Sequence, residues 1–168
     1  RGINCAPQRI AKGQWTQIVG KELTSAKVGI VGLGNIGRKL IELLLPFDCA
    51  LFGCDIIDER EFWSDLSLQR SSLDEIFSSC DIISMHVPLN SSTYHMVGQE
   101  QLDLMKEGGI LINTARGGLI DEEALAKKLE GGSIFAGLDV LEDEPMIDER
   151  FAEHPNCFIT PHIGGSST

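Results

Sequence analysis

No apolar stretch in these 168 residues approaches the roughly 20 residues that a membrane-spanning helix needs, and no signal-peptide pattern opens the chain. A membrane partner is therefore not expected. Basic residues are outnumbered: 14 Lys and Arg face 25 Asp and Glu, for a formal net charge of -11. That balance excludes a nucleic-acid backbone held by bulk electrostatics. It leaves room for a small anion, because helix N-termini and single arginines act locally. Cysteine occurs at Cys5, Cys49, Cys54, Cys80 and Cys157, without a CxxC pair. An odd, scattered set excludes a disulfide framework and a zinc site, so no metal is expected. It fits buried or idle thiols of a reducing, cytoplasmic compartment. Internal repeats and low-complexity tracts are also missing. So is an initiator methionine at Arg1, which predicts sequence upstream.

What is present is an alternation. The 42% hydrophobic content suffices for one core. Apolar runs at 27–32, 49–55, 81–87, 109–115, 135–140 and 157–162 predict strands. Helical spacing and caps predict helices at 35–45, 72–79, 98–105, 121–132 and 146–154, with Asp121 and Gly131 bounding one of them. Near-continuous apolar strands alternating with helices predict a Rossmann-type α/β fold: a doubly wound parallel sheet with helices on both faces. Residues 1–20 read as a helical segment in which Trp15 and Ile18 need a surface. The stretch 56–70 is polar and irregular.

"VGIVGLGNIGR" places Gly32, Gly34 and Gly37 in G-x-G-x-x-G spacing between a strand and a helix. Such glycines serve a tight turn, a pyrophosphate approach and close helix packing. The amides of Asn35 and Ile36 would then face phosphates. Asp55 ends the next strand, about 18 residues on, where an acid receives ribose hydroxyls and repels the 2′-phosphate of NADP. The predicted cofactor is NAD. The competing reading is a glycine turn followed by an aspartate capping its own loop.

In such a sheet, ligands sit outside the carboxyl ends of the strands. Those ends carry Asp55, then His86-Val87-Pro88, then Thr114-Ala115-Arg116-Gly117-Gly118, then Asp139, then His162. Arg116 has a guanidinium fork suited to a carboxylate and a neighbouring carbonyl. It could instead pair with Asp121 or Glu122. His86 fits packing on the adenine side, while His95 and His154 fit surface roles. His162, followed by Gly164 and Gly165, is placed as a proton donor, though it could merely be satisfied by backbone. A carboxylate partner would raise a histidine's pKa. Glu142, Asp143 and Glu144 in "LEDEP" are all within reach, and the residues alone leave the three open.

These stretches, with "HVPLNSSTYHMV", "LINTARGGLIDEEAL", "GLDVLEDEP" and "TPHIGG", resemble the D-2-hydroxyacid dehydrogenases over nearly the whole chain. That family includes D-3-phosphoglycerate dehydrogenase. The resemblance implies that Arg116 binds the substrate carboxylate and keto oxygen, that His162 is the general acid/base, and that Glu144 is its partner. It implies that Asp139 and the Thr114-Ala115 backbone hold the nicotinamide end, with Arg116, His162 and Gly165 in the same cofactor-binding set. Val87 and Pro88 would line the adenine side. The family often has glycine where this chain has Asp48, a residue that tolerates a left-handed turn. The resemblance further implies a two-domain protein of which residues 1–168 are the NAD-binding domain. The substrate would be a 2-hydroxy or 2-keto acid, and the assembly a homodimer. A non-enzymatic NAD-sensing co-regulator of the same fold is the alternative.

Overall fold

Apolar runs bounded by glycine and polar turns become strands when both of their faces are covered. In the computed structural model, which describes residues 6–15, 17, 19–57, 63 and 68–166, six such strands and a short polar one form one sheet. They are β1 (Lys27–Val31), β2 (Ala50–Cys54), β3 (Gln69–Arg70), β4 (Ile82–Met85), β5 (Gly109–Asn113), β6 (Ile134–Leu138) and β7 (Cys157–Ile159). The helices are α1 (Ala6–Ala11), α2 (Asn35–Leu44), α3 (Leu73–Ser79), α4 (Gln99–Leu104), α5 (Glu122–Glu130) and α6 (Glu149–Ala152). Strand order is β3-β2-β1-β4-β5-β6-β7, and each neighbouring pair is parallel.

Register separates the two faces. Gly29, Ile83 and Leu111 lie side by side, as do Val28, Ile82 and Ile110. A Cβ at Gly29 would meet Ile76 of α3, so the first row faces the larger core. That core also holds Phe77, Leu102, Leu125 and Phe151, from α3, α4, α5 and α6. Val28 and Ile30 face the other way, packing with Leu33, Ile41 and Leu51 beneath α2. Helices thus cover both faces, as the alternation predicts. Phe135 and Phe158 share the α2 face by register but remain 44% and 53% exposed.

Capping residues stop and start the helices largely where the sequence predicts. Ser72 and Glu75 close a capping box on α3, and the Asp121 side chain accepts from the Ala124 amide at the start of α5. The left-handed residue after α5 is Gly132, with Gly131 still right-handed. Asp48 does take the left-handed conformation, at φ 53.

The sequence reading expects six strands and the sheet has seven. β3 lies inside the polar stretch at 56–70, where two residues carry no periodicity. It exists through backbone pairing with Phe52 and Gly53, a bond from the Ser71 amide to the Gly53 carbonyl at 2.8 Å, and Arg70 lying 5.1 Å above the Trp63 ring. Residues 58–62 and 64–67, with Cys5 and Ile18, lie outside the described residues. Trp15 is described and is 91% exposed. Burial pushes the Cys80 thiol up to about 11 and Cys157 up to about 12, which leaves both inert at neutral pH.

Candidate active site and nucleotide crevice

Strand order reverses direction at β1 and β4, and the glycine loop sits at that switch point. Gly32 adopts φ +96, a conformation a side chain resists, and a Cβ there would lie 2.7 Å from the backbone of His86 and Val87. Gly37 packs so closely that a Cβ would fall on the Gly32 carbonyl. Gly34 is different: nothing lies within 4 Å of a Cβ placed on it. The protein itself therefore gives no packing reason for a glycine there, and a ligand approaching the backbone would. Gly34 is also the N-cap of α2, where no side chain caps the helix and no acid occupies the first turn. The amides of Asn35 and Ile36 open this end, which suits a pyrophosphate.

Asp55 stands at the end of β2, and its carboxylate is already at work. One oxygen accepts from the Leu33 amide at 2.6 Å and the other from Ile57 at 3.0 Å. The loop-capping reading is correct as far as it goes. Each oxygen retains a second lone pair for a ribose hydroxyl. On the far side of the loop, Val87 is half-buried and Pro88 exposed. Burial pushes the His86 imidazole down, and its Nε2 contacts the Ser84 hydroxyl at 2.9 Å. A neutral, packed ring fits the predicted adenine-side role better than proton transfer.

Beyond β5, Thr114 and Arg116 are exposed and Ala115 half-buried. Buried Asn113, which the sequence reading passes over, shapes this turn. Its Nδ2 donates to the Arg116 carbonyl at 2.8 Å and its Oδ1 accepts from the Ala115 amide at 3.0 Å. Asparagine after an apolar run followed by small residues is the signal that could have found it. Arg116 Nη1 donates to the Ala115 carbonyl at 2.6 Å. It does not pair with Asp121 or Glu122: Asp121 caps α5, and Glu122 accepts from the Glu142 amide.

β6 is followed by buried Asp139, whose oxygens accept from the Thr160 hydroxyl and from the amides of Ile163 at 2.9 Å and Gly164 at 2.7 Å. The His162 amide donates to the Asp139 carbonyl at 2.8 Å. Burial pushes this carboxyl up. The three hydrogen bonds and nearby His162 outweigh it, and the group lies below the usual carboxylate range. Asp139 is thus the anchor of the histidine loop. His162 has φ 52, and its Nδ1 meets Glu144 Oε1 at 2.7 Å. Their side chains are 49% and 40% exposed. Of the three acids left open by the sequence, Glu144 alone reaches His162. Asp143 is exposed, and Glu142 accepts from Tyr94 Oη at 2.6 Å and contacts His95 Nε2 at 3.0 Å. His95 is therefore engaged with a carboxylate, contrary to the surface role predicted for it. Gly165 follows in an exposed turn with open space around it.

The family described as D-isomer specific 2-hydroxyacid dehydrogenase, NAD binding domain, matches residues 1–164. The chain belongs to that family. This NAD-binding domain is 39% identical to hydroxypyruvate reductase of Thermotoga maritima, over 99% of the chain and 56% of that protein. It is 38% identical to D-3-phosphoglycerate dehydrogenase of Bacillus subtilis, over 99% of the chain and 32% of that protein. D-lactate dehydrogenase with NAD+ from Lactobacillus jensenii superposes with a TM-score of 0.85 at 31% identity, covering 97% of the chain and 54% of that structure. The chain therefore spans about half, or less, of the length of the curated relatives it matches. NAD is the cofactor of this domain, and the residues present fit it. An uncapped helix start, space at Gly34 and a carboxylate at the end of β2 bonded to the Leu33 amide lie at the same end of the sheet. Among the described residues no helix is long and apolar enough to cross a membrane.

Proposed function

We propose that residues 1–168 are the NAD-binding domain of a longer NAD-dependent D-2-hydroxyacid dehydrogenase, with the substrate domain built from other parts of the polypeptide. The observation that carries this reading is the 2.7 Å contact between His162 and Glu144, on the same rim as Arg116. An ionised carboxylate cannot donate, so the His162 proton sits on Nδ1 and Nε2 is left for substrate. Arg116, which has no ion pair to a described carboxylate, would bind the substrate carboxylate and polarise the keto oxygen. In the reducing direction the protonated ring gives its Nε2 proton to that oxygen. In the oxidising direction the neutral ring takes the hydroxyl proton. NAD, when bound, supplies or accepts the hydride.

Gly32, Gly34, Asn35, Ile36 and Gly37 would hold the pyrophosphate and Asp55 the ribose. Val87 and Pro88 would line the adenine side, and Thr114, Ala115, Asp139 and Gly165 the nicotinamide end. The half-open His162 supports a second wall supplied elsewhere, since hydride transfer favours an oriented, water-poor cleft. Exposed Phe135 and Phe158 support further polypeptide on that sheet face. Exposed Trp15 supports a homodimer, and inert thiols support a cytoplasmic setting. Turnover by the full-length protein separates this reading from an NAD-sensing co-regulator of the same fold.

The test is NADH oxidation by the purified full-length protein across a panel of 2-keto acids, with sedimentation of the same preparation. At least one substrate should turn over, and His162→Ala should cost about 10²–10⁴-fold in rate. A full-length protein that reduces none of the panel would overturn the dehydrogenase reading, and a monomer at high concentration would overturn the dimer.

A further inference from the structure

Three strand-end loops meet at Glu142. From the loop after β4, the stacked rings of Tyr94 and His95, 3.9 Å apart and 15° from parallel, both reach its carboxylate. From the turn after β5, Gly117 packs so tightly on the Leu141–Glu142 peptide that a Cβ on it would overlap that backbone. The Glu142 amide in turn donates to Glu122 Oε1 at 2.6 Å, at the start of α5. The loop after β4 is also sewn to the turn after β5. The His95 amide donates to the Gly118 carbonyl at 2.8 Å and the Val97 amide to Leu119 at 3.1 Å, while Val97 and Ile120 form a parallel bridge. Arg116 is the residue immediately before this fastened segment. On its other side Asn113 holds Ala115 and the Arg116 carbonyl.

A surface ion pair would be worth little here, but this contact is not of that kind. The His95 and Glu142 side chains are only 32% and 27% exposed, and two adjacent rings from a loop distant in sequence converge on one carboxylate. The Tyr94 bond holds the Glu142 carboxyl below its ordinary range and the phenol above its own. Both shifts describe a phenol that stays protonated and a carboxylate that stays charged.

We propose that Glu142 is a positioning residue: through Tyr94 and His95 it fixes the turn after β5 and so sets where Arg116 presents its guanidinium. This rests on the substrate-binding role of Arg116 in the reading above. Glu142→Gln keeps the shape and removes the charge. In the full-length protein it should lower kcat/KM for a 2-keto acid on the order of tenfold, the scale expected when a binding group is slightly misplaced. The loss should fall mainly on the KM of the keto acid, with NADH affinity unchanged. Arg116→Lys keeps a cation, so turnover stays measurable; in that background the added effect of Glu142→Gln should shrink to near nothing, because coupled groups are not additive.

Amide hydrogen exchange at residues 117–120 should also quicken in Glu142→Gln. Equal losses in both backgrounds, a parallel fall in NADH affinity, or unchanged exchange at 117–120 would each overturn the proposal. If the wild-type protein reduces no keto acid, the dehydrogenase reading fails. The exchange rates then decide separately whether Glu142 holds this turn.

Discussion

Asp55 has one duty in the structure and one in the proposed function: it caps the glycine loop through the Leu33 amide and would receive the ribose hydroxyls. The obvious substitution confounds them. Asp55→Ala should weaken both NAD and NADP, because the Leu33 amide loses its acceptor. Asp55→Asn keeps an acceptor and removes the charge. It should leave NAD affinity within a few fold and narrow the preference for NAD over NADP by roughly tenfold, the size of one like-charge contact near a protein surface. Titration of the wild type and both variants with both cofactors checks this. Equal or tighter binding of NADP by the wild type would sink the ribose role.

The loop of residues 160–164 is an element held by a neighbour, because Asp139, immediately after β6, supplies its acceptors. Asp139→Ala strands three donors and should cost about 1–3 kcal/mol, read as a lower Tm, together with a loss of turnover as His162 drifts. The carboxyl lies below its usual range, so its folded pKa is depressed. Its stabilising contribution is present above the unfolded carboxylate pKa and is lost as pH falls through the folded value. Acid titration of stability should be shallower at its acidic end in Asp139→Ala than in wild type. An identical pH dependence would show that the anchor is idle.

This anchoring was not legible in the sequence, whereas the strand ends were. Period and apolar runs revealed six strands and five helices, because burial on two faces leaves a continuous signature. They also placed Gly32, Arg116 and His162 on one rim, because parallel strands all end on the same side. What period cannot carry is side-chain partnership across distant loops. Nothing near Glu142 announces which rings it meets. The choice of Glu144 over Glu142 and Asp143 came from family likeness before geometry supplied the contact. The two-residue β3 escaped for a simpler reason: it has no side-chain pattern to read.

For the whole molecule, charge and sheet order set the terms on which ligands arrive. A net charge of -11 repels an anionic cofactor at long range, so the helix start must attract it locally. The sheet is thinnest at its margins, with two residues in β3 and three in β7, and the cofactor would rest across the ends of the strands between them. Trp63 sits at the β3 margin, under Arg70 and donating to the Ile57 carbonyl at 2.8 Å. In a Trp15→Phe variant of residues 1–168 it is the one tryptophan and reports on that margin alone. Such a margin should behave as a separate, weaker cooperative unit. Without NAD, Trp63 fluorescence should report unfolding at lower urea than far-UV circular dichroism does, the mark of a transition that is not all-or-none. With NAD near 100 times its Kd the folded state gains about 2.7 kcal/mol, and the two curves should coincide. The cofactor would then be what makes a sheet with frayed margins melt as one body; coincident curves in its absence would show that the sheet already does so unaided.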